Sequence, residues 1–220
     1  YVDDIAQTAQ TACAVGSYQA STGQDSCDDA DAGYYVDAIA QSTQTACAAG
    51  SYQASTGQTS CDDADAGYYV DTTAQSSQTA CSAGTYNPST GSTSSAACLD
   101  ADAGYYVDDT AQAAQTACSA GTYQASTGQD SCDDADAGYF VSTTAQAFQT
   151  ACAAGSYQPD TAQASCDDAD AGYYVDSTAA TSQTACVAGT WQDTAGQSSC
   201  DDADAGYYID STGQSSQTAC

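Results

Sequence analysis

The chain has 220 residues, 29 of them Asp, and no Lys, Arg, His or Glu. That inventory excludes side-chain salt bridges, an arginine clamp, a histidine base and a P-loop lysine, and a net charge of −29 repels nucleic acid and anionic membrane surfaces. Leu, Ile, Val and Phe together number 14, about 6 % of the chain, against the roughly 20 % below which an apolar core is rarely built, so a large enzyme fold is not expected.

Cysteines take the place of the missing core. Gln-Thr-Ala-Cys recurs seven times, ending at Cys13, Cys47, Cys81, Cys118, Cys152, Cys186 and Cys220. A second set stands at Cys27, Cys61, Cys98, Cys132, Cys166 and Cys200. Regular cysteines beside a weak core read as a disulfide framework in an oxidising, extracellular compartment. No Cys-x-x-Cys and no His is present, which argues against a thiolate metal site. No run of 18 apolar residues occurs, so no membrane span is expected in this segment.

The period is 34 residues, with one copy of 37 between Cys61 and Cys98. Cut at the second cysteine set, the chain reads as a partial repeat over 1–26, repeats over 27–60, 61–97 (the long copy), 98–131, 132–165 and 166–199, and a partial repeat over 200–220. Tyr1 and Tyr208 share one phase and both ends cut through a unit, which leads us to expect a longer array.

Each period splits into two related halves. In both, a Gly stands two before an aromatic residue, and a Gly or Ala follows seven after that Gly, as with Gly50, Tyr52 and Gly57, or Gly67, Tyr69 and Ala74. Each half predicts a short β-hairpin. In 52–58 an extended piece meets a Ser-Thr-Gly turn and returns, with Gly57 suited to a positive φ. Strands of three or four residues are expected, too short to be stable without stacking on neighbours and cross-links. Helix is disfavoured by the recurring Gly and the many Ser, Thr and Asp. The expected fold is therefore small, all-β and disulfide-rich: an elongated tandem array of short hairpins with little or no helix.

The aromatic residues repeat in step. Tyr18, Tyr52, Tyr86, Tyr123, Tyr157 and Trp191 fill one slot, and adjacent pairs such as Tyr34/Tyr35 and Tyr68/Tyr69 fill the other. The first row is expected to be a spine of stacked rings that serves as the core. Adjacent pairs on a strand should point to opposite faces, leaving one ring of each outside. A platform for glycans or a partner is the sharper alternative.

The acidic cluster Asp-Asp-Ala-Asp recurs once per period, with Leu99 in place of its first Asp in the 98–102 copy. Its candidate cation ligands are Asp29 and Asp31, Asp63 and Asp65, Asp100 and Asp102, Asp134 and Asp136, Asp168 and Asp170, and Asp202 and Asp204. Asp-x-Asp beside a turn Gly supplies part of what a Ca²⁺ loop uses, but no bidentate Glu follows. A solvated acidic ridge that gathers diffuse cations is the plainer reading, a weak Ca²⁺ site the sharper one. No other cofactor is expected. The single Asn87 precedes Pro88 and offers no N-glycosylation site.

Cys-x-x-Gly-x-Tyr, then Thr-Gly, then Cys, as in 118–132, resembles the ephrin-receptor-like (GCC2/GCC3) cysteine-rich repeats. It is also similar to the first submodule of tumour-necrosis-factor-receptor cysteine-rich domains. The Asp-Ala-Asp-Ala-Gly-Tyr-Tyr and Gln-Thr-Ala-Cys segments resemble repeat arrays in surface proteins of marine microbes. The chain departs from the family pattern in lacking Cys-x-x-Cys and in having few Pro. The resemblance implies extracellular stalks or receptors and no catalysis.

Two disulfide registers satisfy the spacing. One joins Cys13–Cys27, Cys47–Cys61, Cys81–Cys98, Cys118–Cys132, Cys152–Cys166 and Cys186–Cys200, with Cys220 left open. The other joins Cys27–Cys47, Cys61–Cys81, Cys98–Cys118, Cys132–Cys152, Cys166–Cys186 and Cys200–Cys220. Loop entropy barely separates them. The short interval has nearly equal arms around one hairpin, which favours the first register, and the family resemblance implies the same pairing.

A structural segment of a secreted, disulfide-stapled filament, stalk or rod is the expected function. An adhesin or receptor ectodomain that binds a glycan or protein ligand is the alternative. The expected partners are further copies of the chain or adjoining repeats, with no nucleic acid, at the cell surface or outside the cell.

Overall fold

The computed structural model describes residues 10–220; the phase assigned to Tyr1, and 1–9 of the first partial repeat, lie outside them. The described residues form twelve two-stranded antiparallel hairpins and one short 3₁₀ turn, Ser95–Ala97. Every strand is two residues long. Ser17–Tyr18 pairs with Asp28–Asp29, Tyr34–Tyr35 with Thr45–Ala46, Ser51–Tyr52 with Asp62–Asp63, and Tyr68–Tyr69 with Thr79–Ala80, and the series continues in this way.

These hairpins are wider than the one expected over 52–58. Tyr52 pairs with Asp62, beyond the second cysteine, and nine residues separate the two strands. Gly57 still turns left-handed, at φ 71, but inside the loop and not at a tight tip.

A frame opening at Cys13 keeps each hairpin whole, and in it both halves of the 34-residue period have the same length. The hairpins occupy 13–29, 30–46, 47–63, 64–80 and onwards, 17 residues each, except 81–100. A frame opening at Cys27 separates Ser17–Tyr18 from its partner strand Asp28–Asp29.

Two slots absorb all 18 glycines, and every one has positive φ. The first begins the entry turn: in 48–51, Ser51 N–H donates to the Ala48 carbonyl at 3.0 Å, with Gly50 at φ 89 in the third place, as a type II turn requires. A Cβ on Gly50 would also stand 2.5 Å from the carbonyl oxygen of Gly91, two hairpins further along. The second slot is the left-handed loop residue. It holds Gly at six places and Ala at Ala40, Ala74, Ala111, Ala145, Ala162 and Ala179, with φ between 56 and 62.

The described chain divides into two compact units. One comprises the described residues up to Ala101 with Val107–Gln115; the other comprises Asp102–Tyr106 with Thr116–Cys220. Within the first, hairpin 47–63 is joined to hairpin 64–80 by four backbone bonds. Gly50 N–H donates to Val70 O (2.8 Å), Gln53 N–H to Gln75 O (3.1 Å), Ala64 N–H to Gly50 O (2.8 Å) and Ala74 N–H to Cys47 O (2.9 Å). Within the second, 152–168 and 169–185 repeat the pattern: Gly155 to Val175, Gln158 to Ala180, Ala169 to Gly155 and Ala179 to Cys152. A two-stranded hairpin is marginal alone; these bonds to neighbours supply what its short strands lack.

The core is formed by the Cys or Ala that opens a hairpin, such as Cys47 and Ala64, and by a row one residue away from the aromatic row expected to form it. Tyr18, Tyr52, Tyr86, Tyr123, Tyr157 and Trp191 are only half-buried. The next residue is the buried one, and its chemistry alternates. In one hairpin it is Val36, Val70, Val107, Val141, Val175 or Ile209; in the other it is Gln53, Asn87, Gln124, Gln158 or Gln192. Both rings of Tyr34/Tyr35, Tyr68/Tyr69, Tyr105/Tyr106, Tyr139/Phe140 and Tyr173/Tyr174 are half-buried alike, so neither stands outside.

Candidate functional site

Six disulfides close alternate hairpins: Cys13–Cys27, Cys47–Cys61, Cys81–Cys98, Cys118–Cys132, Cys152–Cys166 and Cys186–Cys200, with Cα separations of 5.6 to 5.8 Å. Cys220 is free and exposed. Each bond joins the first residue of a hairpin to the one just before its return strand. The buried Gln of the same hairpin fastens the loop between them. Gln53 accepts from Ser55 N–H at 3.0 Å through Oε1 and donates to Ser60 O at 3.0 Å through Nε2.

The intervening hairpins carry Ala and Gln where these carry cysteine. Ala64, with no exposed surface, takes the place of Cys47, and Gln78 takes the place of Cys61. Gln78 closes the hairpin through Asp65: Asp65 N–H donates to Gln78 Oε1 at 2.7 Å, and Gln78 Nε2 donates to Asp65 Oδ2 at 2.6 Å. Gln44 grips Asp31, Gln149 grips Asp136, Gln183 grips Asp170 and Gln217 grips Asp204 in the same way. An amide–carboxylate bond is charge-assisted and stronger than a neutral one.

The two members of each candidate cation pair therefore have different places. The second one, Asp31, Asp65, Asp136, Asp170 or Asp204, is a closing residue of its hairpin, and Asp102 stands at the matching position. The first one lies on an exposed return strand. Asp29 pairs with Ser17, Asp63 with Ser51, Asp100 with Thr85, Asp134 with Thr122, Asp168 with Ser156 and Asp202 with Thr190. Asp29 leans against Gly57 and Asp168 against Gly196, carboxyl carbons 3.5 Å from where a Cβ would stand. Among the described residues no three Asp or Cys side chains converge as a metal would need.

The half-buried phenols lie beside this acidic strand. Burial pushes the Tyr52 phenol above its ordinary pKa, and Asp65, Asp62 and Tyr68 add to the shift. Tyr123 is raised likewise, by burial and then by Asp136 and Asp133. Trp191 stands in the same row with its indole N–H buried and unpartnered.

Sequence reasoning missed the Gln closures and the alternating Val/Gln core. Both carried a signal: the Gln of Gln-Thr-Ala-Cys is the clamp at Gln44, Gln78, Gln149, Gln183 and Gln217, and Val or Ile follows each aromatic pair where Gln or Asn follows the single ring. The long copy shows how fixed that slot is. Asn87 there donates to Tyr68 O at 2.8 Å and to Ser92 Oγ at 2.9 Å, and the extra residues wind into the 3₁₀ turn between Gly91 and Cys98.

Among the described residues no helix is long and apolar enough to cross a membrane. No protein-family model matches the chain, and no curated protein is similar to it.

Proposed function

We propose that the chain is a structural segment of a secreted, disulfide-stapled repeat protein that forms an extracellular filament, stalk or rod, without catalytic activity. The observation that carries this reading is the uniformity of the joints. Within each unit, every hairpin hands the same backbone donors and acceptors to the next. Disulfides, lost where thiol reductants are abundant, support an oxidising compartment. The resemblance to ephrin-receptor-like repeats points the same way, with adjoining repeats or further copies of the chain as partners and diffuse cations about the acidic strands.

Small-angle scattering tests the rod. A compact chain of this length would have a radius of gyration of about 17 Å. We expect a much larger value, and one near the compact figure overturns the reading. Non-reducing peptide mapping of protein from its native source tests the compartment, and free thiols throughout would exclude it. Saturable binding of one glycan or protein to a single hairpin would favour the adhesin or receptor alternative.

A further inference from the structure

Disulfide and amide closures alternate within each unit, and only the first responds to thiols. The backbone bonds that join Cys47–Cys61 hairpin 47–63 to hairpin 64–80 contain no sulfur chemistry. We infer that the chain is a redox-graded ladder: reduction releases the loops of the cysteine hairpins and leaves the amide-closed hairpins standing between them.

The two sulfurs of each pair differ in access. Cys47 is fully buried, whereas Cys61 is half-buried. A thiolate of a small dithiol therefore attacks the Cys61 sulfur, forms a mixed disulfide there and expels Cys47 as a thiolate, which takes up a proton. The second thiol of the reagent then displaces Cys61 and leaves as a cyclic disulfide. Two electrons and two protons pass from the dithiol to the cysteine pair.

What remains in a reduced hairpin explains why the loop loosens first. Gln53 ties residues within 53–60 to one another, and its side chain makes no bond to Cys47 at the hairpin's start, so it does not hold the loop to that start once the disulfide is cut. Hairpin 64–80 loses nothing, because Gln78 and Asp65 are indifferent to thiols.

Hydrogen exchange on the full chain, with and without a dithiol at neutral pH, reads this directly. Peptides covering 53–60 and 124–131 are expected to exchange at least about tenfold faster after reduction, while those carrying the Asp65 and Asp136 amides stay within about twofold of their oxidised rates. Equal acceleration in both classes, or in neither, overturns the inference. A second arm replaces one closure by the other in the triple variant Cys47→Ala, Ala48→Asp, Cys61→Gln. Loop 53–60 should then keep its rate under dithiol while 124–131 in the same molecule still accelerates. Acceleration of both, or a variant that does not fold when oxidised, overturns it.

Discussion

Gln78 holds Asp65 by two hydrogen bonds of 2.7 and 2.6 Å, at the place where Cys61 holds Cys47 one hairpin earlier. The two residues lie 13 apart, across the loop, so the ring they make does locally what the covalent bond does next door.

Removing that ring should cost about 1 kcal/mol, since Asp65 is exposed and water replaces the lost partner. Gln78→Ala is expected to lower the urea midpoint accordingly. Gln78→Glu should lower it further at neutral pH, because a second carboxylate would then face Asp65. A variant equal to the parent in both cases would show that the ring carries no stability.

The second small-residue slot gives a pair of opposite expectations. Ala74 and Ala162 hold φ of 61 and 59, where a side chain costs about 1 kcal/mol and glycine nothing. Ala74→Gly and Ala162→Gly should therefore raise stability, by up to about that amount. Gly50→Ala should do the reverse and cost more, because its Cβ meets the Gly91 carbonyl as well as an unfavourable φ. Thermal melts of the three variants check the order.

Alkali should weaken the fold through Tyr52 and Tyr123. Their folded pKa values lie above the unfolded value of 10.0. The folded state thus keeps the phenol protons longer, and the stability this brings is whole below pH 10 and lost as the pH climbs through the folded values. Difference absorbance of phenolate between the parent and Tyr52→Phe or Tyr123→Phe should show these two rings ionising above the ordinary value of 10.0. Tyr52→Phe should remove part of the alkaline loss of stability.

Salt should act in the opposite sense. With 29 carboxylates and no side-chain cation, repulsion reaches about 30 Å at 0.01 M salt but only about 3 Å at 1 M. The melting temperature is expected to rise steadily over that range. Calcium should bind only weakly, at about 10⁻⁴ to 10⁻³ M, as in extracellular modules. A calorimetric site much tighter than this would mean that Asp29 and Asp31, or their equivalents, close around the ion.

The repeat, the hairpins and the scarcity of helix were legible in the sequence because they follow from spacing, from glycine and from cysteine. The core was not. Valine is too rare here to announce one, so the rings of Tyr52 and its equivalents looked like the only candidates, yet their phenols must reach water and they stay half-buried. The true core is made by Val70, Ala64 and Cys47, small groups that fill the space only because glycine lets the backbones approach. The role of Asp65 was hidden for a related reason. Read along the chain it stands beside Asp63 like a cation ligand, and only the fold brings Gln78 from 13 residues away to occupy its oxygen.

The extra residues between Gly91 and Cys98 have an engineering consequence. Hairpin 81–100 keeps all four bonds to hairpin 64–80, including Gly91 N–H to Ala64 O at 2.7 Å, while its loop is three residues longer than its counterparts. The interval after the left-handed residue is thus a permissive port. A foreign epitope spliced after Gln58 or Gln197, whose carbonyls hold Val36 and Val175 of the preceding hairpins as Ser92 holds Val70, and ahead of the closing cysteine, would be carried as a covalently pinned excursion, and a library of such grafts could be displayed on one acidic, trypsin-resistant carrier without rewriting the joints between its hairpins.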